Sequence, residues 1–574
     1  MLDNLKRFVR LPNPNAFPRP MRDHLDRYTR MYYKWEVDRD FAQTASRLEP
    51  FIAHVDATPD PKKVALFVSF STWIAGLKLE LLLAKRLQLA GYTPVFLTFS
   101  GAKIAHRYFK LFGFDHVVDW EPFVKENQPA DRDYQAIARS LISEPLRIRD
   151  IKDCDYRGVP VGKHALSRVS RDLVQGRLDL NEPAQHKLFI EALAEAILNT
   201  DVSHILFDKM QPSVTFVREF GYTPYAQPFA VGLTRGVPGV NWHPGQRAGC
   251  WVFKRHYNLE RPKVHLSIDD STWQRLREYP LLEEQNAALE SEFKERYRPD
   301  SKHDIRRLQE GKRLKTREEI VQQLGLDGNK KTAVIFSHLT WDATFFFGTD
   351  LYEDFEDWLV ETVRVAAENT EVNWIVKLHP ANVLKLQQKG DISRPSELIA
   401  LQKLGELPPH IKILGFDTDI NTWSLYSAID YGLTVRGTIG FELPCFGIPV
   451  LTAGTGAYSG FGFTIDSKTK EEYVARLRHI QDIPKPTPAE IELARKHAYY
   501  VLLQRQASLE DVAHVTHLST EQARHPLQTN MEMKLSSIAD LQNSPTLDAF
   551  VKWIENVEDP DFLTESKNAI PITV

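Results

Sequence analysis

The chain has 574 residues, 43% of them hydrophobic and 26% charged, with a formal net charge of −4. That is the composition of a folded protein with more than one domain, at about 100–200 residues each, and its charge balance gives no general attraction for nucleic acid. Cys154, Cys250 and Cys445 stand far apart without a Cys-x-x-Cys pair, which argues against a disulfide framework or a zinc ribbon and suits a reducing, cytoplasmic setting.

Met1 to Asn15 carries early charges and no apolar run, unlike a signal peptide. Over residues 1–34 the basic residues Lys6, Arg7, Arg10, Arg19, Arg22, Arg27, Arg30 and Lys34 outnumber Asp3, Asp23 and Asp26, with Phe8, Phe17, Tyr28, Tyr32 and Tyr33 interleaved. One reading is a peripheral contact with an anionic membrane surface. The other, favoured because Pro12, Pro14, Pro18 and Pro20 interrupt any amphipathic period, is a partly helical extension packed on the first domain. Val64 to Leu77 is uncharged but falls short of the ~20 residues of a membrane span. Leu443 to Ile465 is uncharged but broken by glycines and prolines.

Val64 to Ser69 is an apolar, β-prone run, and Trp73 to Leu89 repeats apolar residues at helical spacing. Tyr92 to Thr98 predicts a strand, Ile104 to Phe112 a helix and His116 to Val118 a third strand, the alternation of a parallel sheet. Gly76 stands alone after the first strand, so no dinucleotide fingerprint is present. Leu173 to Leu198 reads as helix, His204 to Phe207 as a strand ending in Asp208-Lys209, and Ser213 to Phe220 as helix. An Asp at a strand's carboxyl end sits where such sheets hold ligands, which makes Asp208 a candidate proton acceptor; capping the next helix is the alternative. Gly236 to Gly249 is Gly/Pro-rich, and Leu259 to Arg317 is charged and helical.

A second αβ series follows. Strands are expected at Ala333 to Phe336, Trp374 to Leu378, Ile411 to Leu414 and Ala428 to Val435, with helices at Phe355 to Glu368 and Trp423 to Tyr426. After Val435 come Arg436, Gly437, Thr438, Ile439 and Gly440, then a helical turn with Glu442, the run Gly447 to Leu451, and a loop with Tyr458 and Gly460. Glycines at a strand-to-helix turn let backbone N–H groups approach a phosphate, and Glu442 is placed to accept from ribose hydroxyls. Glu472 to Ile480 and Pro488 to Gln504 read as helices, and residues 520–574 as a polar tail with one helix, Leu547 to Asn556.

Gly440-Phe441-Glu442 followed by Gly447-Ile448-Pro449-Val450 resembles the donor segment of GT-B glycosyltransferases, which have two facing Rossmann-like domains. Lys377-Leu378-His379-Pro380, Ser337 to Ala343, and Tyr156 to Gly162 resemble elements of bacterial capsule polysaccharide biosynthesis proteins, so the likeness spans roughly residues 60 to 480. It implies an α/β, GT-B-like fold with a helical N-terminal extension (1–60), a first Rossmann-like domain on the acceptor side (61–260), a helical connecting segment (261–330), a second on the donor side (331–515) and a tail (516–574).

The implied activity is transfer of a sugar from a CMP-, UDP- or GDP-activated donor, itself a substrate and not a cofactor, to a surface or capsular polysaccharide or lipid-linked glycan. A nucleotide-sugar 2-epimerase and a teichoic-type glycerol-phosphate polymerase are the alternatives, the last disfavoured by the lack of a second His-Pro in 435–465. Donor contacts fall to Lys377, His379, Arg436, Gly437, Thr438, Gly440, Glu442, Tyr458 and Gly460. His338, Trp341 and Asp342 follow the first strand of the second domain, with His338 and Asp342 as catalytic candidates beside Asp208. Asp38-Arg39-Asp40, Asp131-Arg132-Asp133 and Asp417-Thr418-Asp419 imitate a metal motif, but none follows a strand next to the phosphate turn, so no metal is expected. Asp417 and Asp419 are read as caps for the helix containing Trp423.

Overall fold

The computed structural model describes residues 19–564 except 56, 71–72, 260–263, 265, 302, 304–307, 343, 380–394, 518–526 and 528, and leaves aside the side chains of 19–30. Two parallel sheets organise it, and their strands are nearly continuous apolar runs because helices cover both faces. The first contains β1 (Val64–Val68), β2 (Thr93–Thr98), β3 (Val117–Asp119), β4 (Val214–Val217), β5 (Gly239–Pro244) and β6 (Cys250–His256). The second contains β7 (Lys331–Phe336), β8 (Val372–Lys377), β9 (Ile411–Leu414), β10 (Tyr431–Thr434), β11 (Val450–Thr452) and β12 (Ile465–Asp466). A further strand, β13 (Ala507–Ser508), joins the first sheet, and β14 (Ala513–His517) pairs with β15 (Thr529–Met533) as a separate hairpin.

The first sheet runs β13-β6-β5-β4-β1-β2-β3 and the second β12-β11-β10-β7-β8-β9. Counted from β1 or from β7, both contain the order 3-2-1-4-5 of a Rossmann-like domain, so each strand order reverses beside its own first strand. All pairings of the second sheet are parallel; in the first, β6 and β13 are antiparallel additions. Tyr222, beyond the carboxyl end of β4, donates a hydrogen bond of 2.6 Å to Asp342, beyond the carboxyl end of β7. The carboxyl edges of the two sheets therefore face one another across a cleft. This is the α/β, two-domain architecture that the strand–helix alternation implied.

Two expected elements exchange identity. His204 to Phe207 belongs to the helix Pro183–Met210, which Glu182 caps and which buries Phe189, Leu193, Ile197 and Leu206. The strand is instead β4, inside the stretch expected as a helix, and it pairs with β1 and β5. Asp208 consequently lies on an exposed turn of helix that leads into the amino end of β4, paired with Arg235 at 2.5 Å. It stands at the edge of the sheet away from the cleft, which removes the reason for making it a proton acceptor. The Gly/Pro-rich stretch 236–249 supplies β5 and leads into β6.

The described residues beyond 506 are not a free tail. The helix Pro545–Glu555 buries Leu547, Phe550, Val551 and Ile554 in the same core as Phe67, Phe216 and Trp242. Arg505, fully buried, lies 3.4 Å from Asp561. At the other terminus the helix Arg19–Leu48 packs on this domain, with Asp40 accepting from Lys78 (2.9 Å) and Tyr108 (3.0 Å). The membrane reading of residues 1–34 rests mostly on residues 1–18 and on side chains up to 30, which lie outside the described residues. Among those that are described, no helix is long and apolar enough to cross a membrane. The connecting helix Glu283–Tyr297 shares a core with the second domain's helix Pro488–Tyr499.

Candidate functional site

A cavity of about 320 Å³ opens at the carboxyl ends of β7, β8 and β10, roofed by the connecting segment. Its frame is the turn after β10. His338, two residues past β7, accepts at Nε2 from the Val435 N–H (3.0 Å) and lies 3.0 Å from Thr434 Oγ1. The ring proton therefore sits on Nδ1, and burial, with Arg436 beside it, pushes the imidazole pKa down to about 3. With its basic nitrogen occupied by the backbone, His338 braces β7 against β10 and is no general base.

Arg436 is likewise occupied. Its guanidinium bonds the Asp350 carboxylate and the Phe347 carbonyl, pinning the 347–350 loop, so its charge is spent inside the protein. Gly440 is glycine for a reason other than phosphate approach: a Cβ there would stand 2.0 Å from the Tyr458 ring. Tyr458 is fully buried and donates to the Gly437 carbonyl at 2.9 Å, so the pair supports the turn from behind. Gly460 is exposed, with φ +81° and its N–H on Asp466, away from the cavity. Of the turn candidates, Arg436, Gly437 and Thr438 line the cavity and Gly440, Tyr458 and Gly460 do not; His338, Lys377, His379 and Glu442 line it too.

Glu442 is 1% exposed. Its Oε2 accepts from Tyr426 (3.0 Å) and from Tyr297, while Oε1 lies 3.4 Å from the Arg296 guanidinium and accepts no hydrogen bond among the described residues. One oxygen is anchored and the other keeps acceptor capacity. Across the cavity stand Lys377, the last residue of β8, and Lys312 from the connecting segment. Among the described residues neither ammonium has a carboxylate partner. Burial, with Lys312 nearby, pulls the Lys377 pKa down to about 7, and burial lowers that of Lys312 too. Two buried amino groups whose charges oppose each other, neither with a carboxylate partner, form a site that binding an anion would relieve. His379 borders the same wall, its backbone N–H held by Glu397 at 3.1 Å; Pro380, which follows it, lies outside the described residues.

Asp342 borders the cavity but gives one oxygen to Tyr222, tying the domains together. Trp341 is buried with its carbonyl 3.3 Å from Ser170 of the first domain and does not line the cavity. The Asp-x-Asp pairs are absorbed elsewhere. Asp40 holds Lys78, Asp133 caps the helix Tyr134–Ser140 and Asp419 pairs with Lys315 at 2.6 Å. The helix Thr422–Tyr426 is capped by Asn421, not by Asp417 or Asp419. Among the described residues no group of three His, Cys, Asp or Glu is placed to hold a metal ion.

Sequence reasoning missed Lys312, Arg296, Tyr297 and Tyr426. The first three sit in a segment read only as a connector, and nothing in its charge-rich pattern marks which side chains turn inward.

No protein-family pattern matches this chain, and neither does any curated protein sequence. Solved structures do. The Thermosulfurimonas dismutans KpsC beta Kdo 2,4 transferase is similar at 17% sequence identity and a TM-score of 0.30, over 50% of this chain and 79% of that one. The UDP-GlcNAc 2-epimerase of Neisseria meningitidis bound to UDP-GlcNAc is similar at 12% identity and a TM-score of 0.21, over 77% of this chain and 99% of that one. The spinosyn rhamnosyltransferase SpnG matches at 10% identity and a TM-score of 0.24, over 76% of this chain and 95% of that one.

Proposed function

We propose that this chain is a glycosyltransferase that takes a nucleotide-activated sugar in the second-domain cavity and passes the sugar to a glycan hydroxyl, in the making of a surface or capsular polysaccharide. The observation that carries the reading is the pair Lys312 and Lys377, two buried amino groups in one cavity, neither with a carboxylate partner among the described residues. A donor phosphate supplies the missing negative charge, and as the sugar leaves, the charge that grows on that phosphate meets ammonium groups already in place. Glu442 Oε1 then accepts from a ribose hydroxyl at the other end of the cavity. His379, on the cavity wall, adds a donor to the phosphate. In this reading no metal is required and the protein works in the cytoplasm.

The test is thermal stabilisation by a panel of CMP-, UDP- and GDP-sugars and the free nucleotides. A ligand at 100 times its Kd stabilises by about 2.7 kcal/mol. At least one nucleotide sugar is expected to raise the melting temperature of the wild type, and far less that of Lys377→Ala. If no nucleotide does so, the donor reading falls. If a stabilising nucleotide sugar is isomerised with no acceptor present, the epimerase reading replaces transfer.

A further inference from the structure

A second cavity, of about 660 Å³, lies in the first domain beyond the carboxyl ends of its strands. Tyr222 belongs to its wall, and the same hydroxyl bonds Asp342 on the wall of the donor cavity. The two cavities are thus neighbours across the cleft. One side is aromatic: Phe70 and Phe99 stack at 4.5 Å, and Tyr225 meets Phe70 edge-on. The rest is charged but self-neutralised. Arg168 pairs with Asp172 at 2.5 Å, while Arg171 and Arg218 share Glu219 at 3.9 and 3.7 Å. Flat rings beside paired charges suit a neutral, hydroxyl-rich ring, whose apolar face stacks while its hydroxyls bridge the ion pairs.

At the base of this cavity is Glu80, from the helix Ile74–Leu89, only 2% exposed. Its Oε2 accepts from Ser69 Oγ at 2.5 Å, immediately after β1, and its Oε1 from the Trp242 indole of β5 at 3.1 Å. Both partners are donors, so the group is held as an acceptor, with lone pairs left over on each oxygen. We infer that this cavity binds the terminal sugar of the glycan acceptor and that Glu80 takes the proton from the hydroxyl that is glycosylated. Burial supports the role, holding the Glu80 pKa up at about 7, where a carboxylate can both accept a proton and pass it on to water. The inference rests on the transferase reading. In the step, the acceptor O–H proton moves to Glu80 and the oxygen bonds the anomeric carbon. The bond from that carbon to the donor phosphate breaks with its electron pair leaving on the phosphate, opposite Lys312 and Lys377.

The full chain serves for three measurements. Nucleotide stabilisation comes first and judges the donor reading alone. Binding of a panel of hexose, N-acetylhexosamine and pentose oligosaccharides is then followed by calorimetry in wild type, Arg168→Ala and Phe99→Ala. At least one saccharide is expected to bind the wild type and to lose tenfold or more in each variant; no saccharide binding, or binding that ignores both substitutions, overturns the site whatever the nucleotides do. Last, turnover of the stabilising nucleotide sugar with the bound saccharide is measured against pH. Glu80→Gln is expected to lower kcat by about 10²–10⁴-fold at unchanged nucleotide affinity. Ser69→Ala, which removes one donor from the carboxylate, is expected to move the acidic limb of the kcat profile to higher pH. A folded Glu80→Gln protein with undiminished kcat, or a Ser69→Ala profile that does not move, makes Glu80 a structural link between β1 and β5 and sinks its role as proton acceptor.

Discussion

The two cavities that meet at Tyr222 and Asp342 handle charge in opposite ways. In the second domain Lys312 and Lys377 stand without an anion, and their pKa values are depressed because burial penalises ammonium charge that nothing compensates. In the first-domain cavity Arg168, Arg171 and Arg218 each have a carboxylate within 4 Å, and the groups that burial raises are acids, Glu80 and Glu195. One cavity is incomplete until an anion enters. The other has its charges paired, and an occupant there would be selected by shape and hydrogen bonds. A cavity's open charge, more than its size, indicates the class of ligand it takes; here the larger of the two is the neutral one.

The sharpest way to break this contrast is to remove both lysines. Hydrogen bonds to charged groups are worth about 1.5–3 kcal/mol each, so Lys312→Ala with Lys377→Ala should weaken nucleotide binding by roughly 10²–10⁴-fold and leave saccharide binding alone. Equal losses in both cavities would show that the substitutions act through the fold. The same lysines make a pH statement. The folded pKa of Lys377 is about 7 against 10.5 when exposed, so in the empty cavity this side chain is uncharged between those values. An entering phosphate restores the charge, and calorimetry at pH 8 in buffers of different ionisation enthalpy should record uptake of up to one proton per nucleotide. Zero uptake would mean that Lys377 is already charged in the empty cavity.

The acid of the other cavity should behave with the reverse sign. Glu80 is raised from 4.5 to about 7, so between those values the folded state holds a proton that the unfolded state has lost. Stability from this group is present below pH 4.5 and declines as pH rises to 7, by about 3 kcal/mol. The melting-temperature difference between Glu80→Gln and wild type should therefore shift in favour of the variant across that window and then level off. A difference that is flat with pH would mean that Glu80 is not buried as an acid.

A smaller effect is expected at Gly440, where a methyl group would press on Tyr458 from 2.0 Å. Gly440→Ala should cost about 1–3 kcal/mol by overpacking, and adding Tyr458→Ala should recover part of it. If Gly440→Ala instead keeps its stability and loses nucleotide affinity, this glycine faces the phosphate after all. The smallest expected effect is that of a chelator: with the donor phosphate met by ammonium groups, EDTA should leave turnover unchanged. Loss of activity restored by Mn²⁺ or Mg²⁺ would overturn that expectation.

What the sequence displayed was whatever depends on local pattern. Phe355–Glu368 and Ile411–Leu414 have the bounds their apolar spacing predicts, and the other buried strands of the second sheet stand out as apolar runs. Local pattern misled where an element is apolar on all sides. The helix Pro183–Met210 buries residues around its circumference, so its last two turns carry no amphipathic period, and His204 to Phe207 imitated a strand. Of the residues that line the candidate cavity, Lys377, His379 and Glu442 could be picked out in the sequence because they follow or end recognisable elements. Lys312 and Glu80 were not. Lys312 lies in a segment without periodicity. Glu80 was hidden in plain view, since Lys78, Glu80 and Lys85 are buried charges within a largely apolar helix, and each has a partner from a remote stretch. A charge at a core position can be noticed in a sequence, but its partner is supplied only by the tertiary fold.

The return of the chain to its first domain after residue 506 has a consequence for how the protein is made. Arg47 bonds the Met533 carbonyl across 486 positions, and Phe550 completes a core begun at Phe67. During synthesis from the amino terminus, the sheet of the second domain, from Lys331 to Asp466, leaves the ribosome whole before the last layer of the first has been translated. The domain that starts first thus finishes last, and its early strands wait with apolar surface uncovered, which is the condition that favours misassembly and calls on chaperones.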